Sequence, residues 1–405
     1  MKKTKLDYIV SVFFLITVSL NAQTKSDSIK KALHEHPQLK YDLGKSFTII
    51  GEVGARLEYI SNERFAENEE TADDDNRFRE RVRLRLGSEF RLNKTFSAGF
   101  RLSTGQSSYP ASGWSSFSDN FSRDPIAIDR LYINLNFSKF RFLFGANKNA
   151  MFHPTEMVWD GDVQPAGFVE TYNDERFEVT LGQYMLREVR DLNDSKVSGS
   201  FLIATGINYA FMDNHNLRLG LFNYYYSKPD AIATAISNSK LDGDFKTNRL
   251  VDIDETKFFS DYNIVGFSGD YHWEKWRIVS EIAVNIGAKK DSSLGAAYAS
   301  RENVAAGGTI RYGVLKDPGD WSIEAGYFYI EADAVMAAYN SDDYQQTNVR
   351  SVPVWLRFML PGNAVIVWDT YFQKRIENYY YLSGGVIHDE NALKIRSRIT
   401  LQLGF

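Results

Sequence analysis

Between Arg77 and Arg85 an arginine stands at every second position: Arg77, Arg79, Arg81, Arg83 and Arg85. The residues between them are Phe78, Glu80, Val82 and Leu84. Side chains of an extended strand alternate between faces, so this spacing collects five guanidiniums on one face and a mostly apolar set on the other. A guanidinium stays charged and offers a planar fork of donors. A row of them can therefore hold carboxylates or draw anionic solutes out of water. Other chemistry is poorly served. The chain has no Cys and six scattered His, and no Ser/His or Asp/His constellation stands out. His34-Glu35-His36 is no ligand pair, because i,i+2 spacing points the two rings apart on a helix. The acidic run Glu63, Glu67, Glu69, Glu70, Asp73, Asp74 and Asp75 lacks the ordered spacing of a calcium loop and reads as a solvated acidic loop. We expect no catalysis, no cofactor and no metal.

A second cationic row ends the chain. Leu393, Ile395, Ser397, Ile399, Leu401, Leu403 and Phe405 alternate with Lys394, Arg396, Arg398, Thr400, Gln402 and Gly404. One face is oily enough for lipid and the other carries three cations. A soluble sheet rarely needs both, whereas a transmembrane barrel with a wet interior needs both on every strand. An arginine on the lipid face costs about 2–4 kcal/mol near the midplane, so the charged face must point into a lumen.

Alternating segments of this kind recur at 47–60, 77–91, 96–105, 126–137, 140–147, 168–172, 177–186, 200–211, 217–226, 263–272, 276–287, 303–314, 321–332, 348–360, 364–376 and 391–405. Their lengths suit the ~9–11 residues with which a tilted strand crosses a bilayer. Tight links of Asn, Asp, Gly and Pro type, at 92–95, 138–139, 173–175, 212–216, 273–275, 316–320 and 361–363, alternate with long ones at 61–76, 106–125, 227–260 and 377–390. The predicted fold class is all-β: a transmembrane antiparallel β-barrel of about 16 strands over residues 46–405. The 227–260 link reads as a surface loop or a partner contact. Tyr224-Tyr225-Tyr226, Tyr379-Tyr380-Tyr381, Trp273, Trp276 and Trp321 fall where aromatic girdles belong. Residues 1–22 read as a cleavable signal peptide: Lys2, Lys3 and Lys5, then an apolar run over 9–20, then Ala22. Residues 23–45 are polar and are expected to form a periplasmic tail with one short helix. Mean hydropathy of −0.35 does not speak against a barrel, whose lumen face and loops dilute the lipid face.

On such a barrel Arg56, Arg101, Arg130 and Arg141 share the phase of Arg77–Arg85, and closure brings Lys394, Arg396 and Arg398 alongside. Two outcomes are open for this basic sector. Glu52, Glu58 and Glu89 could pair with it and merely stiffen the wall, or it could stay positive and select anions. The acids in phase on the same strands are too few to neutralise every cation, which favours the second. The link after the fifth strand, 149–167, is too apolar for a solvated loop, with Met151, Phe152, Met157, Val158 and Trp159 all needing cover. We expect it to fold inward as a constriction loop. There Glu156, Trp159, Asp160 and Asp162 would narrow the lumen, with both aspartates opposite the arginines. An external cap over the rim is the other outcome.

The segments FRERVRLRLG (78–87), GFRLSTG (99–105), FGANK (144–148) and VWDGDVQPAG (158–167) resemble the putative porin family of Gram-negative bacteria. The terminal strand is similar to the C-terminal signature of bacterial outer-membrane barrels. The resemblance implies a passive outer-membrane channel for small hydrophilic solutes, in contact with outer-membrane lipid and lipopolysaccharide, with a homotrimer as its assembly. With the arginine sector, anionic solutes would be preferred. A dedicated channel for an acidic polysaccharide, similar to alginate exporters, is the alternative. A net charge of −5 gives no support for nucleic acid as a partner.

Overall fold

The structure is a computed structural model, and it describes residues 46–61, 76–105, 112–117, 125–190, 197–212, 216–237, 247–251, 257–294, 298–377 and 393–404. The expected signal peptide at 1–22, the expected tail at 23–45, the acidic run 63–75, Tyr379–Tyr381 and Phe405 lie outside those residues.

Sixteen long strands form the wall. They are β1 Phe47–Ser61, β2 Arg77–Arg91, β3 Phe96–Thr104, β4 Ile126–Phe137, β5 Phe140–Ala146 and β6 Ala166–Asn173. Then come β7 Phe177–Arg190, β8 Val197–Met212, β9 Asn216–Tyr226, β10 Asn263–Trp273 and β11 Trp276–Asn285. The last five are β12 Val304–Gly313, β13 Trp321–Ile330, β14 Val349–Leu360, β15 Ala364–Arg375 and β16 Lys394–Gly404. Each pairs antiparallel with its neighbours in sequence, and β16 closes on β1 from Glu52↔Gly404 to Ser61↔Ile395. Closure satisfies every wall strand on both sides and leaves no open edge, which is what a sheet within lipid requires. β3 is short, so the pairing of β2 continues along a two-residue strand, Ser115–Ser116, opposite Arg81 and Val82.

The alternation seen in the sequence becomes an outward and an inward face. Phe78, Leu131, Ile133, Phe144, Ile282 and Ile399 are exposed outward, while Arg81, Arg396, Arg398 and Glu58 are buried inward. One bulge breaks the pattern in β4. Arg101 faces Arg130 but Leu102 faces Ile128, so Asp129 is the extra residue. A bulge of this kind puts neighbouring side chains on one face, and here it brings Asp129 within reach of Arg101.

Trp273, Trp276 and Trp321 are exposed beside the tight turns, as girdle residues should be. The turn at 361–363 depends on Gly362, whose φ is +76°. The triple tyrosine needs correction, because alternation splits it. Tyr225 is exposed outward, but Tyr224 and Tyr226 are buried inside. They join Met157, Trp159, Tyr262, Phe328, Ile330, Val335, Met336 and Tyr344 in one apolar cluster. The interior is therefore aromatic and packed in part. The 227–260 link also differs from a plain surface loop. It carries a helix, α1 (Asp230–Ser237), and Arg249 within it is 2% exposed.

Candidate functional site

The inner face of β1 and β2 is set by register. Glu52 sits opposite Arg85, Gly54 opposite Arg83, Arg56 opposite Arg81 and Glu58 opposite Arg79. Glu58 pairs with Arg79 and Arg81, and Glu52 pairs with Arg83. Arg81 also donates to Ser112 Oγ and to the carbonyl of Trp114. Trp114 lies over Gly54, where a Cβ would come within 2.7 Å of the indole, so the close approach needs glycine. The guanidiniums of Arg56 and Arg83 sit 3.9 and 4.5 Å from that ring, a cation–π sandwich. Nothing in the sequence singled out Trp114.

Across the closing seam, Arg396 pairs with Glu58 (3.4 Å) and Asp343 (3.1 Å). Arg398 grips Asp343 and Asp369 and donates to Tyr371 Oη at 2.9 Å. Lys394 donates to Gln345 Oε1 at 2.7 Å. Farther round, Arg101 is held by Asp129, Arg130 by Gln164 Oε1 at 2.8 Å, and Arg141 weakly by Thr171 at 3.5 Å. Arg77 is exposed at the start of β2.

Acids from other elements add to the few that this sector's own strands supply. Asp162 comes from the β5–β6 connection, Asp342 and Asp343 from the β13–β14 connection, Asp369 from β15 and Asp129 from the bulge. Glu89, one of the three acids considered, lies against exposed Arg91 at 3.5 Å.

In the β5–β6 connection, residues 147–165, Met157, Val158 and Trp159 are each under 5% exposed. Trp159 stacks between Tyr224 (5.8 Å, 14°) and Tyr339 (5.4 Å, 19°), and its Nε1 donates to Val163 O. Four polar contacts pin the segment to β9–β11. His153 bridges Glu281 and Tyr224 Oη, Thr155 donates to Glu281, and Asn149 donates to Tyr224 Oη. Asp162 reaches Arg85 at 2.5 Å and Arg83 at 3.9 Å. Asp160 does not behave like Asp162. It is buried, its Oδ1 accepts from Asp162 N (2.6 Å), its own N–H donates to Tyr339 O (2.8 Å), and no arginine pairs with it among the described residues. A chain reversal at 160–163 turns its carboxyl away from the wall.

Sequence reasoning missed the partner of this connection. Residues 331–348, between β13 and β14, are buried almost throughout, although they form a loop. Ser341 N donates to Glu156 O at 3.2 Å, joining the two connections by backbone. The buried Arg249–Asp333 pair anchors one end, with Ser260 donating to Asp333 and Asn248 donating to the carbonyls of Ala332 and Val335. At the other end Gln345, Gln346 and Asn348 all have positive φ. Such backbone costs about 1–3 kcal/mol per residue and persists only where neighbours over-determine it. Arg375 supplies that here, donating to the carbonyls of Gln345 and Thr347. No sequence signal marks this segment beyond its small and aromatic residues, Ala332 to Tyr344.

Where the two connections meet, five carboxyls are crowded together. The side chain of Glu156 is open to the interior space, but the enclosing protein and the charges of Asp343 and Asp162 push it up to about 7. Burial and the charge of Glu156 push Asp160 well up. Burial would raise Asp162 too, but Arg85 and Arg83 outweigh it and hold the carboxyl low. Asp342 is raised by burial and by Asp343. Asp343 is pulled down against burial by Arg398 and Arg396. The junction therefore holds ionised acids against the arginines and protonatable ones just behind them.

A family model described as putative porin matches residues 45–265, more than half of the chain. No curated protein matches. Among solved structures, Pseudomonas putida OprB at high pH is 11% identical with a TM-score of 0.54, covering 90% of this chain and 95% of that one. Salmonella typhi OmpF in complex with daunomycin is 9% identical with a TM-score of 0.52, covering 90% and 99%. At these identities the likeness speaks for the fold.

Proposed function

This chain belongs to the putative porin family of outer-membrane β-barrel channels, and from that premise we propose how it selects what it passes. Residues 147–165 and 331–348 lie together across the lumen and leave an opening beside the arginine sector. Solutes cross passively, with no catalytic step. They pass the edge where the arginines of the wall and the acids of Asp162 and Asp343 sit against one another. Charges set face to face in a low-dielectric passage produce a transverse field that orients polar solutes. On the described inner faces of β1–β4 and β16 the cations outnumber the carboxylates that pair with them, so small anions are favoured modestly. The observation that carries this reading is Asp162, a residue of the β5–β6 connection paired with Arg83 and Arg85 of the wall. An acidic polysaccharide would need a run of guanidiniums free to bind it, and Arg79, Arg81, Arg83 and Arg85 are already engaged. Contact with lipopolysaccharide and assembly as a homotrimer belong to the same proposal.

The test uses the barrel reconstituted in planar bilayers. Deleting 158–164 should raise single-channel conductance and admit larger sugars. Asp162→Asn should leave conductance nearly unchanged, since the side chain barely changes volume, but release Arg85 and leave Arg83 with Glu52 alone. The reversal potential in a KCl gradient should then move toward anions, and less so as salt shortens the Debye length from ~8 Å at physiological strength to ~3 Å at 1 M. A deletion that changes neither conductance nor size cutoff would make 147–165 a cap.

A further inference from the structure

Beyond the constriction itself, the interior carries a recess of about 320 Å³ between β11–β16 and the two connections. That is near the lower end of the ~300–1,000 Å³ range of small-molecule sites. Its aromatic wall is Trp355, set edge-on to Tyr371 (5.7 Å, 85°), with Tyr344 nearby. Its lining carries three guanidiniums, Arg56, Arg357 and Arg398, and four carboxyls, Glu156, Glu324, Asp343 and Asp369. Arg357 donates to Glu324 at 2.7 Å and lies 5.6 Å from the Trp355 ring, while Arg398 is shared by Asp343 and Asp369. Arg56 reaches in from β1, its guanidinium stacked on Trp114.

An anion entering this recess would meet more carboxyls than guanidiniums, and a cation would have to compete with Arg357 and Arg398 for the acids they hold. A neutral solute with many hydroxyls meets no such conflict. It can give protons to Glu324 and Asp369 and accept them from Arg357 and Arg56, since ionised forks take more than one partner. Its C–H faces can rest on the indole. We propose that this recess is a binding subsite for a neutral polyhydroxylated solute of monosaccharide size, with Trp355 as its platform. The proposal rests on the channel reading above and names a solute for it. The constriction then favours small anions in free diffusion, while the recess retains sugars by contact.

The probe is D-glucose added to the reconstituted channel, read as interruption of the ionic current. Block should saturate with concentration, whereas glycine and acetate at equal concentration should block far less. Trp355→Ala should raise the half-blocking concentration about three- to tenfold, the scale of one lost aromatic contact. Trp355→Phe should restore most of it. Arg357→Gln should also weaken block, and a measurable open-channel current in each variant shows that the barrel has folded. Block by glucose that is indifferent to Trp355, or stronger block by acetate, would overturn the subsite. Absence of any conductance would instead count against the channel.

Discussion

Asp160 and Asp162 stand two residues apart and yet do opposite things. Asp162 meets Arg83 and Arg85 and stays ionised, while Asp160 is folded back among carboxyls and backbone and favours its proton. Spacing alone suggested that both would face the arginines, because a sequence does not reveal where a loop reverses. Glu156 makes the difference measurable. The enclosing protein, together with Asp343 and Asp162, raises it to about 7, so it is neutral below neutral pH and charged above. Its proton leaves as pH rises from 6 to 8, adding negative charge at the junction of the two connections. Anion preference should therefore fall across that window, read as a drift of reversal potential toward cations. Glu156→Gln should remove most of the drift and hold the channel near its low-pH value at every pH. A drift of unchanged size in that variant would place the titrating group elsewhere.

At the scale of elements, the wall was legible and the interior was not. β2 at Arg77–Arg91 and β4 at Ile126–Phe137 match the periodic segments read from the sequence to the residue. Their period of two, broken in β4 only by the bulge at Asp129, and the turn residues that bound them are both local signals. Even the weakest candidate, 168–172, is a full strand at Ala166–Asn173. The β13–β14 connection was invisible because its place depends on partners far away in sequence. Asp333 meets Arg249, Asp343 meets Arg398, and Ser341 meets Glu156. The bulge at Asp129 was hidden for a related reason, since one extra residue flips the face of all that follows. The Arg249–Asp333 anchor allows a test of how that connection is held. Removing one partner of a buried pair typically costs ~3–5 kcal/mol, whereas replacing both by apolar residues is often neutral. Asp333→Ala should lower the temperature at which the barrel loses its heat-modifiable gel mobility, and it should add current noise as 331–348 loosens. Arg249→Met combined with Asp333→Leu should recover most of the thermal loss. If Asp333→Ala matches the parent in both readouts, the anchor does not hold the segment.

For the whole molecule, closure converts a sequence period into two solvents. The same alternation that buries Arg81 and Arg396 inward exposes Leu57, Phe78, Ile133 and Ile399 outward. A soluble sheet would cover that outer face with another layer, and among the described residues no layer covers it. Hydrocarbon is the solvent that such a surface fits. Adjacent positions in β4 let the two faces be compared without changing strand, depth or neighbours. Ile133 is 51% exposed on the outer face, while Asn134 points inward and lines an interior cavity of about 550 Å³. Arginine at position 133 must be desolvated into acyl chains near mid-strand, for which ~2–4 kcal/mol is typical. At 134 it meets a polar interior that already accommodates Arg141. Urea titrations of the barrel folded into phospholipid vesicles should show Ile133→Arg destabilised by about that amount and Asn134→Arg by much less. Equal losses at the two positions would mean that the outer face does not meet lipid there. A larger loss at 134 would reverse the assignment of inside and outside on which the arginine sector and both connections depend.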